Sequence, residues 1–153
     1  MMDVATGEYS QHFIKTDGTA YVTVNTVYDA TWVVQKITGL SHIRKADGGQ
    51  YTSVFLDSSG NVFSVPGQGT TVTAYTVDNN GSAFTGIQDV MAMYGMIVAL
   101  KNDSVYYWSF TNAGVGAQDD MLLQFSSTLS NGIPAPRRLV QPTGKHIKKI
   151  LFG

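Results

Sequence analysis

Three histidines, His12, His42 and His146, are the side chains best suited to proton transfer or to metal binding near neutral pH. Their spacing in the chain does not match the H-x-x-x-H pattern of a helical metal site. His42 and His146 each precede an isoleucine in two similar segments, which indicates a structural role. His12 precedes a short apolar run, and we expect it to face solvent.

Three other segments resemble known calcium-binding, nucleophile or phosphate-binding motifs, and each lacks a residue that its motif requires. Residues 78–82 (DNNGS) offer oxygen ligands for calcium, but the distal glutamate of a calcium loop does not follow them. Residues 39–42 (GLSH) are similar to the G-x-S-x-G motif of a nucleophile elbow but lack its second glycine. Residues 67–69 have the glycines of a phosphate loop without its lysine, and a turn is favoured there. The sequence therefore predicts a non-enzymatic protein with no catalytic residue, no metal and no cofactor.

Composition restricts the class of protein further. The chain has 153 residues, enough for one domain, and only 14% of them are charged. A net charge of −1 argues against nucleic-acid binding, and the five cations within residues 137–149 are better explained as protection of an edge strand. The longest apolar run, 90–100, is too short to span a membrane, and the N-terminus does not resemble a signal peptide. Low charge with abundant Gly, Thr, Ser and Tyr favours a virion or extracellular surface.

The residue types predict an all-β protein. Of the eleven acidic residues only Glu8 is a glutamate, and lysine and arginine are sparse. Long unbranched side chains favour helices, whereas the abundant β-branched and aromatic residues fit a pleated sheet. Asp, Asn and Gly supply the turns between strands.

Three segments resemble one another, at 13–22, 55–64 and 99–108. Each has an apolar strand, a short polar turn and a second strand, which is the pattern of a β-hairpin. Gly18 and Gly60 are 42 residues apart in the numbering, a period typical of a four-stranded propeller blade.

A similar lead segment precedes the second hairpin at 41–48 and the third at 88–95, and a third copy stands at 145–153. The first hairpin has no full lead strand, so the chain is expected to begin inside one repeat and to end inside another. We therefore predict one partial propeller domain over residues 1–153. Its expected parts are units at about 7–38, 39–85 and 86–136, followed by a lead strand at 137–153.

These repeats resemble those of the regulator of chromosome condensation family. Residues 97–108 (IVALKNDSVYYW) give the best local match, and residues 53–64 give the second. The resemblance implies a β-propeller, usually of seven blades. The nucleotide-exchange activity of that family has no residue-level match in this chain.

Three blades do not close a ring, and a blade buries its faces only against its neighbours. We expect the ring to be completed by association, with a homodimer of six blades favoured. The alternatives are that the chain is one piece of a longer propeller, or that a different propeller-completing chain supplies the other blades.

The segments between the hairpins differ in length, at 24–31, 69–84 and 110–136, and loops on a repeated frame are common binding sites. A further strand is expected within 24–31, ending near residues 32–34. The candidate binding residues are four aromatic side chains that lie in or beside these segments: Tyr28, Trp32, Tyr75 and Phe110.

The sequence thus favours a non-catalytic binding or assembly module with a protein or glycan ligand, such as a phage-tail, receptor-binding or cell-surface component. One alternative is a lectin-like propeller with glycan pockets between its blades. The other is an enzyme whose site forms at an oligomer interface, where His12 and Asp17 would meet Lys148 or Lys149.

Overall fold

The computed structural model describes residues 3–6, 10–25, 32–49, 52–66, 69–93, 96–109, 135–139 and 144. Within these residues it contains twelve β-strands. They are β1 (Asp3–Thr6), β2 (Ser10–Ile14), β3 (Ala20–Asn25), β4 (Trp32–Lys36), β5 (Ile43–Gly48), β6 (Thr52–Asp57), β7 (Val62–Pro66), β8 (Thr73–Tyr75), β9 (Asp89–Met93), β10 (Met96–Lys101), β11 (Ser104–Ser109) and β12 (Arg137–Arg138). The described part of the chain holds no helix that is long and apolar enough to cross a membrane.

The strands form three antiparallel sheets of four strands each, within the described ranges. They are blade 1 (β1–β4), blade 2 (β5–β8) and blade 3 (β9–β12), and every strand pairs only with its neighbours in sequence. β5 packs against both β1 and β9, so the blades fan out from a line of first strands. This confirms the predicted all-β fold of three four-stranded blades.

The three predicted hairpins are present, and polar side chains shape their turns. In blade 1 the Asp17 carboxylate accepts hydrogen bonds from the Thr19 hydroxyl (2.6 Å) and the Thr19 amide (2.9 Å), which hold the pKa of Asp17 below its usual value. In blade 2 Asp57 accepts bonds from the amides of Ser59 and Asn61. Blade 3 has a tighter two-residue turn at Asn102 and Asp103, whose φ angles are both positive (46° and 62°).

A turn glycine in each of the first two blades contacts the backbone that leads into the next blade. The Gly18 carbonyl accepts a hydrogen bond from the Ile43 amide, and the Gly60 carbonyl accepts one from the Ile87 amide, both at 3.0 Å. A Cβ atom on Gly18 would lie 2.6 Å from the His42 Cα. The chain can therefore cross at this distance only because no side chain stands there.

The structure corrects three expectations about the ends of the blades. Blade 1 does have a lead strand, since β1 pairs with β2 over four residues. The fourth strand of blade 1 begins at Trp32 and runs to Lys36, whereas a strand was expected to end near residues 32–34. Arg137 and Arg138 pair with β11 as the outer strand of blade 3 and do not belong to a lead strand of a further unit. The segment at 145–153 lies outside the described residues.

Two apolar clusters hold the blades together. The first lies between blades 1 and 2 and contains Ile14, Val22 and Phe55, all fully buried. The second lies between blades 2 and 3 around Trp108, whose ring makes edge-to-face contacts with Tyr75 and with Phe84.

Charged side chains of the first strands link each blade to the next one. An oxygen of Asp3 accepts a hydrogen bond from the Ala46 amide at 3.2 Å, and an oxygen of Asp47 accepts one from the Ala92 amide at 2.9 Å. Lys45 also forms an ion pair with Asp89. The carboxylates thus satisfy amides on the free edges of β5 and β9, which their own sheets leave unpaired.

Replacement of Asp47 by alanine is expected to lower the free energy of unfolding by about 1–3 kcal/mol, because the Ala92 amide then loses its acceptor. Asp47→Asn keeps a side-chain oxygen at the same place and is expected to lose less than half as much. Urea unfolding followed by circular dichroism measures both variants. Equal stability of wild type and Asp47→Ala would show that water serves the amide as well as the carboxylate does.

Candidate binding surface

The structure separates the four aromatic residues that the sequence nominates for binding. Trp32 lies on β4 with 53% of its surface exposed. Tyr75 was expected to be a binding residue, but it is buried between blades 2 and 3. Its hydroxyl lies 2.8 Å from the Ser64 hydroxyl, and its ring packs against Trp108. Tyr28 and Phe110 lie outside the described residues. Of the two candidates within the described residues, Trp32 is therefore the one that is exposed to solvent.

Trp32 belongs to one face of blade 1. Strand register places Val4, Phe13 and Tyr21 in one row across β1, β2 and β3, and Lys36 of β4 continues that row. Trp32 and Val34 share the side of β4 that carries Lys36, because side chains alternate along a strand. We call these residues, Val4, Phe13, Tyr21, Trp32, Val34 and Lys36, the open face of blade 1.

The open face exposes apolar surface. Val4, Trp32 and Val34 are 43%, 53% and 63% exposed, and they make up three of the five exposed large apolar side chains in the described residues. Phe13 and Tyr21 are half-buried between them. Strand register also places Thr6, Gln11 and Thr23 on this side of the sheet, in the row of Val34, so exposed apolar side chains lie beside polar ones. Exposed apolar surface rimmed by polar residues is typical of a protein-binding surface.

The corresponding face is covered in the other two blades. Counted back from the hairpin turn, Phe13 of blade 1 corresponds to Phe55 of blade 2 and to Ala99 of blade 3. Phe55 packs in the cluster between blades 1 and 2, and Ala99 packs in the cluster between blades 2 and 3. Both are fully buried. The open face of blade 1 is thus the same surface without its neighbouring sheet.

Cations flank the apolar part of the open face. The Lys15 ammonium lies 5.7 Å from the centre of the Tyr21 ring, at a distance that allows a cation–π contact. Lys36 is exposed at the end of the row of Phe13 and Tyr21. The Asp17 carboxylate lies 3.8 Å from the Lys15 ammonium. The surface can therefore bind a partner through apolar contact, with charges of both signs at one edge.

His12 differs from its sequence-based expectation, because it is fully buried between blades 1 and 2. Its Nδ1 atom lies 3.1 Å from the Ser53 hydroxyl, and its ring packs edge-to-face on Phe55. Burial lowers the pKa of His12 to about 4, so the ring is neutral at pH 7. The sequence does indicate this burial, because His12 stands two residues before the apolar Ile14 and alternate residues of a strand share one face.

The oxygen-rich loop at 78–82 uses its carboxylate to close a turn. One oxygen of Asp78 accepts hydrogen bonds from the amides of Asn80 (2.8 Å) and Ser82 (2.9 Å). Among the described residues, no group of three His, Cys, Asp or Glu side chains is placed to hold a metal ion.

Comparison of the fold with solved structures gives clear matches. A chain in the crystal structure of human WBSCR16 superposes with a TM-score of 0.71 at 15% sequence identity, and the match covers 95% of the present chain. A chain in the structure of Kap60 bound to yeast RCC1 (Prp20) gives 0.60 at 15% identity over 90% of the chain. The present chain has the RCC1-type β-propeller fold.

A second RCC1-type structure of the yeast protein, Prp20p from Saccharomyces cerevisiae, gives a TM-score of 0.59 at 16% identity over 93% of the chain. It was described together with binding properties of Prp20p to Gsp1p and histones. By sequence, no protein-family model and no curated protein matches the chain. The chain spans about two fifths of the RCC1-type chains, with 41%, 37% and 39% of their lengths covered.

Proposed function

We propose that this protein is a non-catalytic binding and assembly module, in which the open face of blade 1 binds a β-sheet of a second copy of the chain. The observation that carries the proposal is the contrast between the blades. The same face is buried against a neighbouring sheet in blades 2 and 3 and is exposed in blade 1.

The shape and chemistry of this face support a sheet as the partner. Its row of apolar side chains runs across β1, β2 and β3, as the matching row in blade 2 runs across β5, β6 and β7. In blade 2 that row consists of Ala46, Phe55 and Phe63, which pack against blade 1. An apolar pleated face packs against another pleated face at about 10 Å, which is the arrangement that covers the matching row in blade 2.

Other RCC1-type propellers support a role in protein binding, since the Prp20 structures were described with Kap60, Gsp1p and histones. The low charge of the chain further supports a virion or extracellular surface as its location. Two copies would complete a ring through two such contacts, each between the open face of blade 1 in one copy and blade 3 of the other, and a homodimer is the simplest closed assembly.

Two neighbouring valines on β4 give a matched test of this proposal. Val34 lies on the open face, and Val33 lies on the opposite side of the same strand. Because both are exposed, a lysine at either position should change the free energy of unfolding by less than about 0.5 kcal/mol. We expect Val34→Lys to weaken self-association at least about tenfold and Val33→Lys to leave it unchanged.

The measurement is the mass in solution by size-exclusion chromatography with light scattering, over a range of concentrations. The wild type and Val33→Lys are expected near twice the chain mass of 16.5 kDa, and Val34→Lys near 16.5 kDa. A monomeric wild type would refute the homodimer. Equal losses in both lysine variants would place the interface elsewhere on the chain.

A further inference from the structure

We call the packed contact between two neighbouring blades a joint. The joint of blades 1 and 2 and the joint of blades 2 and 3 differ in chemistry at one matching position. In the joint of blades 1 and 2, His12 faces Ser53, and both are fully buried. In the joint of blades 2 and 3, the corresponding residues are Val54 and Ile97, which are fully buried in the apolar cluster there. One joint therefore contains a group that can bind a proton, at the place where the other is aliphatic.

The surroundings of His12 favour its neutral form. The Nε2 atom of His12 is buried and has no hydrogen-bond partner among the described residues. On the other side of the ring, the neutral Ser53 hydroxyl lies 3.1 Å from Nδ1. A proton added to this ring would bring a charge into the cluster of Ile14, Val22 and Phe55 without a counter-charge from the described side chains.

The ionisable side chains on the strands around His12 have other partners or face away. On β1, β3, β5 and β6 these are Asp3, Tyr21, Arg44, Lys45, Asp47 and Asp57. Asp3, Asp47 and Asp57 accept bonds from backbone amides, and Lys45 pairs with Asp89. The Arg44 guanidinium donates to the carbonyls of Asp57, Ile87 and Gln88. Tyr21 lies on the open face, on the other side of the sheet.

We propose that His12 makes the joint between blades 1 and 2 sensitive to protons, so that acidification opens this joint while the joint between blades 2 and 3 stays closed. Opening exposes the imidazole to water, which solvates the charged ring and supplies the partner that Nε2 lacks. The aliphatic pair Val54 and Ile97 gives the second joint no corresponding group.

The direction of the pH effect follows from proton linkage. An exposed histidine has a pKa near 6.5, and burial lowers the pKa of His12 to about 4 in the closed joint. Between these two values the open form binds more protons than the closed form, so the open fraction rises as the pH falls from about 6.5 to about 4. Below about pH 4 both forms are protonated, and His12 contributes no further change.

Two buried alanines allow each joint to be followed separately, because the chain contains no cysteine. Ala20 belongs to the cluster between blades 1 and 2, and Ala99 to the cluster between blades 2 and 3. Both are fully buried. The variants Ala20→Cys and Ala99→Cys are labelled with 4,4′-dithiodipyridine at pH 7 and pH 4.5. Each rate is divided by the rate for the urea-unfolded chain at the same pH.

The normalised labelling of Ala20→Cys is expected to rise at least about tenfold on acidification, and that of Ala99→Cys less than about threefold. His12→Val copies the residue of the second joint and is expected to abolish the rise at Ala20→Cys. An equal rise in both cysteine variants would show global unfolding and overturn the proposal. So would the absence of a rise, or a rise that persists in His12→Val.

A measurement on the wild-type side chain covers the case in which His12→Val does not fold. The imidazole proton resonances of His12, followed by NMR from pH 7 to pH 3.5, should shift with the midpoint at which Ala20→Cys becomes accessible. A midpoint near 6.5 with unchanged protection of Ala20→Cys would show that a charged His12 is tolerated in the closed joint, and would refute the proposal.

Discussion

Gly60→Ala is expected to lower the free energy of unfolding by at least about 3 kcal/mol. A Cβ atom at this position would lie 2.7 Å from the Ile87 nitrogen and 2.8 Å from the Gly86 Cα, and both are backbone atoms that fix the start of blade 3. The φ angle of +81° adds the cost of a left-handed conformation for a residue with a side chain. Urea unfolding at pH 7 measures the loss.

Gly81→Ala is the control that measures the cost of a positive φ angle without the close backbone contact found at Gly60. Gly81 has nearly the same φ angle, +78°, but a Cβ atom there would meet nothing within 4 Å beyond its own chain neighbours. Only the conformational cost of about 1 kcal/mol is expected at this position. Similar losses in the two variants would mean that the linker moves aside, and that Gly60 does not hold blade 3 in place.

Trp108→Ala is expected to destabilise the protein by about 3–5 kcal/mol. Its ring is fully buried and contacts Tyr75 and Phe84 in the cluster between blades 2 and 3, so truncation leaves a large cavity. Trp108→Phe is expected to lose much less, because the buried indole Nε1 has no hydrogen-bond partner among the described residues. Far-UV circular dichroism in urea follows unfolding without relying on tryptophan fluorescence.

Trp32→Ala is the matched control, since the same residue type is 53% exposed on β4. We expect a change of less than about 0.5 kcal/mol in the free energy of unfolding of the monomer. A loss of several kcal/mol at Trp32 would contradict its placement on the open face of blade 1.

The hairpins could be predicted from the sequence because their signals are local. Asp17 with Gly18, and Ser59 with Gly60, place a turn between two apolar runs, and the spacing of the glycines indicates one blade per repeat. β1 gives only a weak signal, because it has four residues, of which Ala5 is the buried one. The bounds of β4 are equally hard to predict, because all five of its residues are exposed and it lacks an alternating pattern.

The positions of His12 and Tyr75 depend on contacts with other blades. Tyr75 is buried because Trp108 of blade 3 packs on it, and nothing in residues 71–77 indicates that neighbour. Strand alternation with Ile14 indicates which side of β2 carries His12, but not that Phe55 of blade 2 packs on it. The open face could not be found from local pattern either, because Phe13 and Phe55 occupy the same place in their repeats and differ only in what covers them.

The pairing of every strand with its sequence neighbours has a consequence for synthesis of the chain. Each blade can form its hydrogen bonds as soon as its own four strands have left the ribosome, because each described strand pairs with strands next to it in sequence. Apolar coverage follows one step later, since Ile14 and Val22 are buried only when blade 2 arrives. The nascent protein therefore grows by stacking finished sheets, and its newest sheet is the one at greatest risk of binding the wrong surface.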